Sequence, residues 1–301
     1  MSWRRETELD WLAGLPGVCR DAPLARHTSF NIGGPAEFFV ETPDPAPLVE
    51  GCHERGIPYL LLGAGTNLLV ADAGVEGLVI RVVSRAHRVE GTRVYAAAGL
   101  KMLRLARLCA DHDLTGLEWA IGVPGTVGGA VYQNAGCWGG ELSDVLVEAE
   151  GFRPGTGPET WSPAVLELDY RRSALRDGHL RGALVVGAWV QLRQGDGERS
   201  RRQMAEWTDQ RTTTQPIRTK NCGSVFRNPP GDSAGRLVEA AGLKGAREGA
   251  AEVSTQHANF IVNTGGATAV DVHRLIERLR VTIAERFGVQ LEPEVERVGR
   301  W

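Results

Sequence analysis

Residues 122–140 read Gly122-Val123-Pro124-Gly125-Thr126-Val127-Gly128-Gly129-Ala130-Val131-Tyr132-Gln133-Asn134-Ala135-Gly136-Cys137-Trp138-Gly139-Gly140. No helical or strand-like hydrophobic period runs through them, so a long ordered loop is expected, and such loops usually carry function. With few side chains to pack, the stretch presents main chain. A pyrophosphate needs several converging N–H donors with no Cβ in the way, and this composition supplies them. The competing reading is a buried turn lying against another backbone.

Working toward the N-terminus, the apolar run Ile57–Leu62 stops at Gly63-Ala64-Gly65-Thr66-Asn67, and Leu68-Leu69-Val70 resumes it. This strand, glycine loop, strand pattern begins like a dinucleotide fingerprint. It departs at Leu68, with no helix pattern following, and no Gly-Lys pair makes a Walker loop. A turn whose amides could cradle a phosphate survives, with Thr66 and Asn67 as added donors, beside the plainer reading of a tight turn.

The flanking patterns give an α+β chain. Strands are expected over Ala36–Glu41, Gly77–Val82, Arg93–Ala98, Asp144–Phe152 and Ala183–Leu192. A helix should open at Asp44-Pro45, Asp44 as N-cap, and another should run over Lys101–Asp113. From Gly195 the chain turns polar and Arg-rich, which places a domain boundary near 197. Beyond it come helices over Arg199–Arg211, Ala234–Ala241 and Thr268–Phe287, and strands over His257–Val262 and Val289–Val298. The long helix carries Val272, Leu275, Ile276, Leu279, Ile283 and Phe287 on one face, with Thr268 and Asp271 as its capping box.

The bulk properties narrow the function. Over 301 residues the chain is 42% hydrophobic and 24% charged, with net charge −3, so neither nucleic-acid binding nor membrane insertion is expected. Cys19, Cys52, Cys109, Cys137 and Cys222 show no Cys-x-x-Cys and no paired His spacing, so reduced thiols and no metal are expected. Met1–Glu8 lacks a signal peptide's apolar core, and no long apolar run follows, which points to the cytoplasm.

Gly63–Val70, then Gly116-Leu117-Glu118-Trp119-Ala120, then Gly122–Gly136, in that order, resemble the two flavin-phosphate loops of FAD domains of the vanillyl-alcohol-oxidase (PCMH) type. More narrowly, residues 26–298 resemble the UDP-N-acetylenolpyruvoylglucosamine reductase (UDP-N-acetylmuramate dehydrogenase) family. The resemblance implies non-covalent FAD, held at Gly63, Ala64, Gly65, Thr66, Asn67 and Leu68 and at Gly122, Val123, Pro124, Gly125, Gly128, Gly129, Ala130, Asn134 and Gly136. It implies an FAD domain over 1–197, in lobes of about 1–56 and 57–197, and a smaller α+β substrate domain over 198–301 whose last strand returns toward the active site. NADPH is then the hydride donor and UDP-N-acetylglucosamine enolpyruvate the substrate, for a protein expected to be a monomer. Another FAD-dependent oxidase of the same fold and a flavin or nucleotide-sugar binder without turnover are the alternatives.

The implied chemistry adds hydride to the vinyl carbon of an enolpyruvyl ether and a proton to its neighbour, so it needs a carboxylate clamp and an acid. Tyr170-Arg171-Arg172-Ser173 resembles the family's Tyr-Arg-x-Ser motif, which makes Arg171 the clamp, a task suited to a forked guanidinium. Gly223-Ser224-Val225-Phe226-Arg227-Asn228-Pro229 resembles the motif with the proton-donating serine, which makes Ser224 the general acid with Arg227 as a cation for its alkoxide. By themselves these segments read as a surface arginine and a turn entering a strand. Glu292 and Glu294 would share one side of a terminal strand, so alternation does not separate them. The resemblance selects Glu294 as the catalytic glutamate. Tyr170, Arg227, Asn228 and His257 carry over as substrate contacts.

The departures are specific. Thr66 stands where the family usually has Ser, Gln133 where it has Met, and Arg227 where it has Lys. Thr214 occupies the place of a lysine that reaches the substrate diphosphate, leaving Arg211, Arg218 or Lys220 to replace it. No tyrosine lies between residues 174 and 223, which resembles the shorter subclass lacking a tyrosine-bearing loop.

Overall fold

The computed structural model describes residues 9–301. The expectation for Met1–Glu8 lies outside them. The chain divides into two compact units: residues up to Arg20 with Phe38–Ala64 and Gly77–Asp209, and Asp21–Glu37 with Gly65–Glu76 and Gln210–Trp301.

The first unit is built around an antiparallel five-stranded sheet in the order Gly157–Trp161, Leu146–Arg153, Leu184–Gln191, Arg93–Ala97, His87–Glu90. A four-stranded sheet orders Cys19–Pro23, Pro35–Thr42, Val75–Val82 and Tyr59–Leu62, the last two parallel. The helix Met102–Asp111 buries Met102, Leu105, Ala106, Cys109 and Ala110, as its spacing requires. The preceding helix, Ala46–Arg55, starts later than expected, with Pro45 as its N-cap. Asp44 instead sits in a turn, its N–H donating to Thr42 Oγ1 at 3.1 Å.

The helix Gly197–Thr214 explains why the division falls at 209/210 and not near 197. Its opening turns pack into the first unit: Gly197 N donates to Asp113 Oδ1 at 3.1 Å and Ser200 Oγ to Glu118 Oε1 at 2.6 Å, and Met204 joins that core. The sequence places the boundary where composition changes, but packing holds the first turns of this polar helix to what precedes it.

The second unit closes on the helix Ala269–Phe287. The Thr268/Asp271 capping box forms, and Val272, Leu275, Ile276, Leu279 and Ile283 are buried, each stabilising by about 1.5–3 kcal/mol. Phe287, expected on that face, is exposed beside the left-handed C-cap Gly288. Phe30, Ile32 and Leu69 join this core, which is why two short early segments belong here. The expected terminal strand Val289–Val298 is cut to Glu296–Val298, parallel to Leu68–Val70. Pro293, with no N–H, makes only an isolated bridge to Phe226. The strand expected over His257–Val262 is Ile261–Asn263, because Phe260 N turns back to His257 O at 3.0 Å.

Candidate functional site

The glycine-rich segment 122–140 is not a continuous loop. A 3-10 turn, Glu118–Gly122, leads to the short helix Val127–Gln133, capped by Thr126, whose Oγ1 accepts from Gly129 N at 3.4 Å. Gly128 and Gly129 lower helix propensity enough to mask the element in sequence. Gly128 packs closely: a Cβ there would stand 3.0 Å from the Ala98 Cβ.

The cap also decides which amides are paired. Val127 N donates to Leu100 O and Gly128 N to Ala98 O, both at 2.8 Å, and Ala130 N to Thr126 O. Val123 N turns to Ala120 O, and Pro124 has no N–H. Gly125 and Thr126 are left with main-chain N–H groups that donate to no acceptor among the described residues. Gly63 lies against this cap, for its Cβ would stand 2.6 Å from Thr126 Oγ1. The N–H of Ala64 is likewise without an acceptor among the described residues. These unpaired donors and a glycine that only a missing Cβ permits fit a phosphate group.

Gly65, Thr66, Asn67 and Leu68 belong to the second unit. Gly65 has φ +62, and a Cβ on it would reach 2.0 Å from His27 O. Its carbonyl accepts from Ser29 N at 3.0 Å, while the N–H groups of Gly65 and Thr66 donate to nothing among the described residues. Asn67 holds the terminal segment: Nδ2 donates to Glu294 O at 3.1 Å and its carbonyl accepts from Glu296 N at 3.0 Å.

In the first unit Arg171 sits at φ +56, a left-handed conformation that few non-glycine residues adopt. Its guanidinium donates to Gly136 O at 2.7 Å and to Asn134 O at 3.4 Å, and lies 5.0 Å from the ring centre of the exposed Tyr170. Asn134, fully buried at φ 45, closes the helix Val127–Gln133. Its side chain donates to Asp169 O at 3.2 Å and accepts from Ser143 N at 3.0 Å. The structure therefore brings Tyr170-Arg171 to the end of the second glycine segment.

Sequence reasoning missed the aromatic wall of that segment. Trp138 stacks on Trp207 at 5.5 Å with an interplanar angle of 5°. The indole Nε1 groups of Trp119 and Trp138 are buried without a partner among the described residues. A Cβ on Gly122 would stand 2.6 Å from Cys137 Sγ and 3.0 Å from Trp138 Nε1, so that glycine serves internal packing. Isolated tryptophans in a glycine-rich run carry no periodic signal, and only the three-dimensional arrangement reveals them.

In the second unit the Ser224 and Glu294 segments are neighbours. Glu294 N donates to Val225 O at 2.7 Å, Arg227 N to Glu292 O at 2.9 Å, and Phe226 bridges Pro293. Glu292 and Glu294 do not share an environment, since Glu292 is exposed and Glu294 half-buried. Half-buried Ser224 follows Gly223 at φ +82, and its hydroxyl makes no hydrogen bond among the described residues. Arg227 is largely buried, with its guanidinium 3.5 Å from the Glu292 carboxylate and its Nε lacking a partner among the described residues. Burial and then the Glu294 charge push the Cys222 thiol far above its ordinary range, so it stays neutral beside that carboxylate.

Asn228 and His257 both face the helix Ala234–Ala240. Asn228 Oδ1 accepts from Ala234 N at 3.1 Å, and a Cβ on Gly235 would stand 3.2 Å from His257 Cε1. His257 Nδ1 accepts from Asn259 N at 3.2 Å. Burial, then the Lys244 charge, lowers the His257 pKa. Thr214 is exposed, its hydroxyl donating to Gln210 O at 2.8 Å; Arg211 Nε donates to Gln215 Oε1 at 2.7 Å, and Arg218 and Lys220 are exposed.

Two family models match the chain: an FAD binding domain over residues 42–157, and the C-terminal domain of UDP-N-acetylenolpyruvoylglucosamine reductase over 215–298. The chain is 46% identical to the UDP-N-acetylenolpyruvoylglucosamine reductase of Rubrobacter xylanophilus, an alignment covering 95% of this chain and 96% of that protein. The chain belongs to the UDP-N-acetylenolpyruvoylglucosamine reductase family. The corresponding protein of a Synechococcus strain is 45% identical over 92% of this chain and 90% of its own. The solved reductase of this family from Thermus caldophilus superposes with a TM-score of 0.79 at 36% identity, covering 91% of this chain and 97% of that one. Membership and the FAD binding domain agree with the α+β class and with the flavin-dependent oxidoreductase that the resemblance implies.

Proposed function

We propose that this member of the reductase family converts UDP-N-acetylglucosamine enolpyruvate to UDP-N-acetylmuramate with NADPH, through non-covalently bound FAD, as a cytoplasmic monomer. The observation that supports the reading is the main-chain pairing of segments 225–227 and 292–295, which makes the stretches carrying Ser224 and Glu294 neighbours.

Bound FAD would supply the hydride and accept one from NADPH. The main-chain N–H groups of Ala64, Gly65, Thr66, Gly125 and Thr126 are proposed to hold its diphosphate. Arg171 is assigned the substrate carboxylate, where a fixed positive charge favours the electron density pushed toward it during hydride addition. Ser224 Oγ gives its proton to the carbon beside the vinyl terminus, and the cationic Arg227 favours the alkoxide left behind. Glu294, in its protonated form, donates a hydrogen bond to the same enolate. Tyr170, Asn228 and His257 are assigned to substrate binding, and the diphosphate contact usually made by lysine falls to Arg211, Arg218 or Lys220.

Titrating the purified yellow protein with NADPH and then with the enolpyruvyl substrate tests the function. The flavin band should bleach, then return with one UDP-N-acetylmuramate formed per NADPH. Rapid return on admitting oxygen, with no response to the enolpyruvyl ether, would identify an oxidase instead.

A further inference from the structure

Phe226 is buried two residues after Ser224, and one edge of its main chain faces Asn259. Residues 257–260 form a turn there, not a strand. The Asn259 side chain makes the pairing: Phe226 N donates to Asn259 Oδ1 at 3.0 Å and Asn259 Nδ2 donates to Phe226 O at 2.8 Å. The Asn259 main chain adds a third bond, its carbonyl accepting from Val225 N at 2.8 Å. Asn259 is 4% exposed, its main-chain N–H is taken by His257 Nδ1, and its side-chain amide meets one acceptor and one donor on Phe226 that match it in a single orientation.

On its other side the same segment holds the glutamate, Val225 O accepting from Glu294 N and Glu292 O accepting from Arg227 N. Three consecutive residues are thus clamped between Asn259 and residues 292–294, and Ser224 is the next residue toward the N-terminus. A side-chain amide that pairs with both polar groups of one buried residue fixes main-chain position and twist together, which a hydrophobic contact would not do.

We propose that Asn259 is a positioning residue for proton delivery, fixing the Ser224 segment through its two-point pairing with Phe226. The proposal rests on the reading of Ser224 as proton donor. A buried asparagine that serves folding alone would lower stability without favouring one half-reaction over the other. Asn263 is the internal control: it is buried in the same unit, and its side chain donates to Phe30 O and accepts from Gly265 N and Ala267 N, with no bond to residues 224–227.

The test uses the FAD holoenzyme, with flavin reduction by NADPH and reoxidation by UDP-N-acetylglucosamine enolpyruvate followed separately in stopped flow. Asn259→Leu removes both points of attachment, and Asn259→Asp keeps the acceptor for Phe226 N–H while removing the donor, so it carries the test if the leucine variant does not fold. Flavin reduction should be unchanged, while reoxidation slows roughly 10- to 100-fold, the scale of a small misplacement of a reacting group. Asn263→Leu should lose stability with the ratio of the two rates intact. Equal slowing of both half-reactions, or no more effect on the ratio than Asn263→Leu shows, would overturn the proposal. Ser224→Ala in the same assay separates the two ideas: normal reoxidation there removes the Ser224 reading and this proposal with it, whereas blocked reoxidation beside normal Asn259 variants removes this proposal alone.

Discussion

Arg171 donates through its guanidinium to the carbonyl of Gly136 at 2.7 Å while its own backbone stands at φ +56. The side chain assigned to the substrate carboxylate is therefore oriented by the segment whose opening turn is proposed to hold the cofactor phosphates. Arg171→Lys keeps the charge and loses the planar fork. It should lower kcat/KM on the order of 100-fold, about 2.7 kcal/mol of transition-state stabilisation, with flavin content unchanged. Steady-state kinetics on protein of measured flavin content checks this.

Gly63 and Thr126 meet where a single methyl would collide, the Cβ standing 2.6 Å from Oγ1. Gly63→Ala should reduce flavin retention and stability, and adding Thr126→Ala should restore part of the loss even though that change alone removes a helix cap and costs about 1 kcal/mol. A double-mutant cycle of urea midpoints and FAD dissociation constants checks the coupling. Simple addition of the two effects would show that the loops do not constrain one another.

The cysteines should separate by access. Burial pushes Cys52 up to about 11 and Cys109 to about 12, and Cys222 is raised further, while Cys19 is exposed and Cys137 half-exposed. A disulfide reagent at pH 8 should therefore modify Cys19 at once, Cys137 more slowly, and the other thiols only on unfolding. Mass spectrometry of timed quenches reads the order.

His257 gives a signed pH effect. Its folded pKa lies below the ordinary 6.5, so the unfolded chain takes up the proton first as the pH falls. The stability present above 6.5 is lost as the pH drops from there through the folded value, and protonation also removes the Nδ1 acceptor from Asn259 N–H. The urea midpoint of the wild type should fall more over this range than that of His257→Asn, whose remaining acid dependence comes from carboxylates common to both.

What the sequence discloses is local. The Thr268/Asp271 capping box and the apolar stripe from Val272 to Ile283 lie within one helix and are read from spacing alone, as is the strand Leu68–Val70. The helix Val127–Gln133 escapes because two glycines hide it, although Thr126 in front of them is a capping residue. The attachment of Phe30, Ile32 and Leu69 to the second core escapes because contacts across such sequence distances leave no period. Glu292 and Glu294 are indistinguishable as alternating residues, and only the break at Pro293 gives them different burial. Asn259 likewise reads as one more asparagine until its two bonds to Phe226 are seen.

The most direct measurement is the pair of half-reactions of Ser224→Ala, anaerobically, on protein that retains its flavin. Reduction by NADPH should match the wild type, and the reduced flavin should then persist when UDP-N-acetylglucosamine enolpyruvate is added. Reoxidation at the wild-type rate, with UDP-N-acetylmuramate formed, would show that the proton comes from elsewhere and contradict the assignment of Ser224.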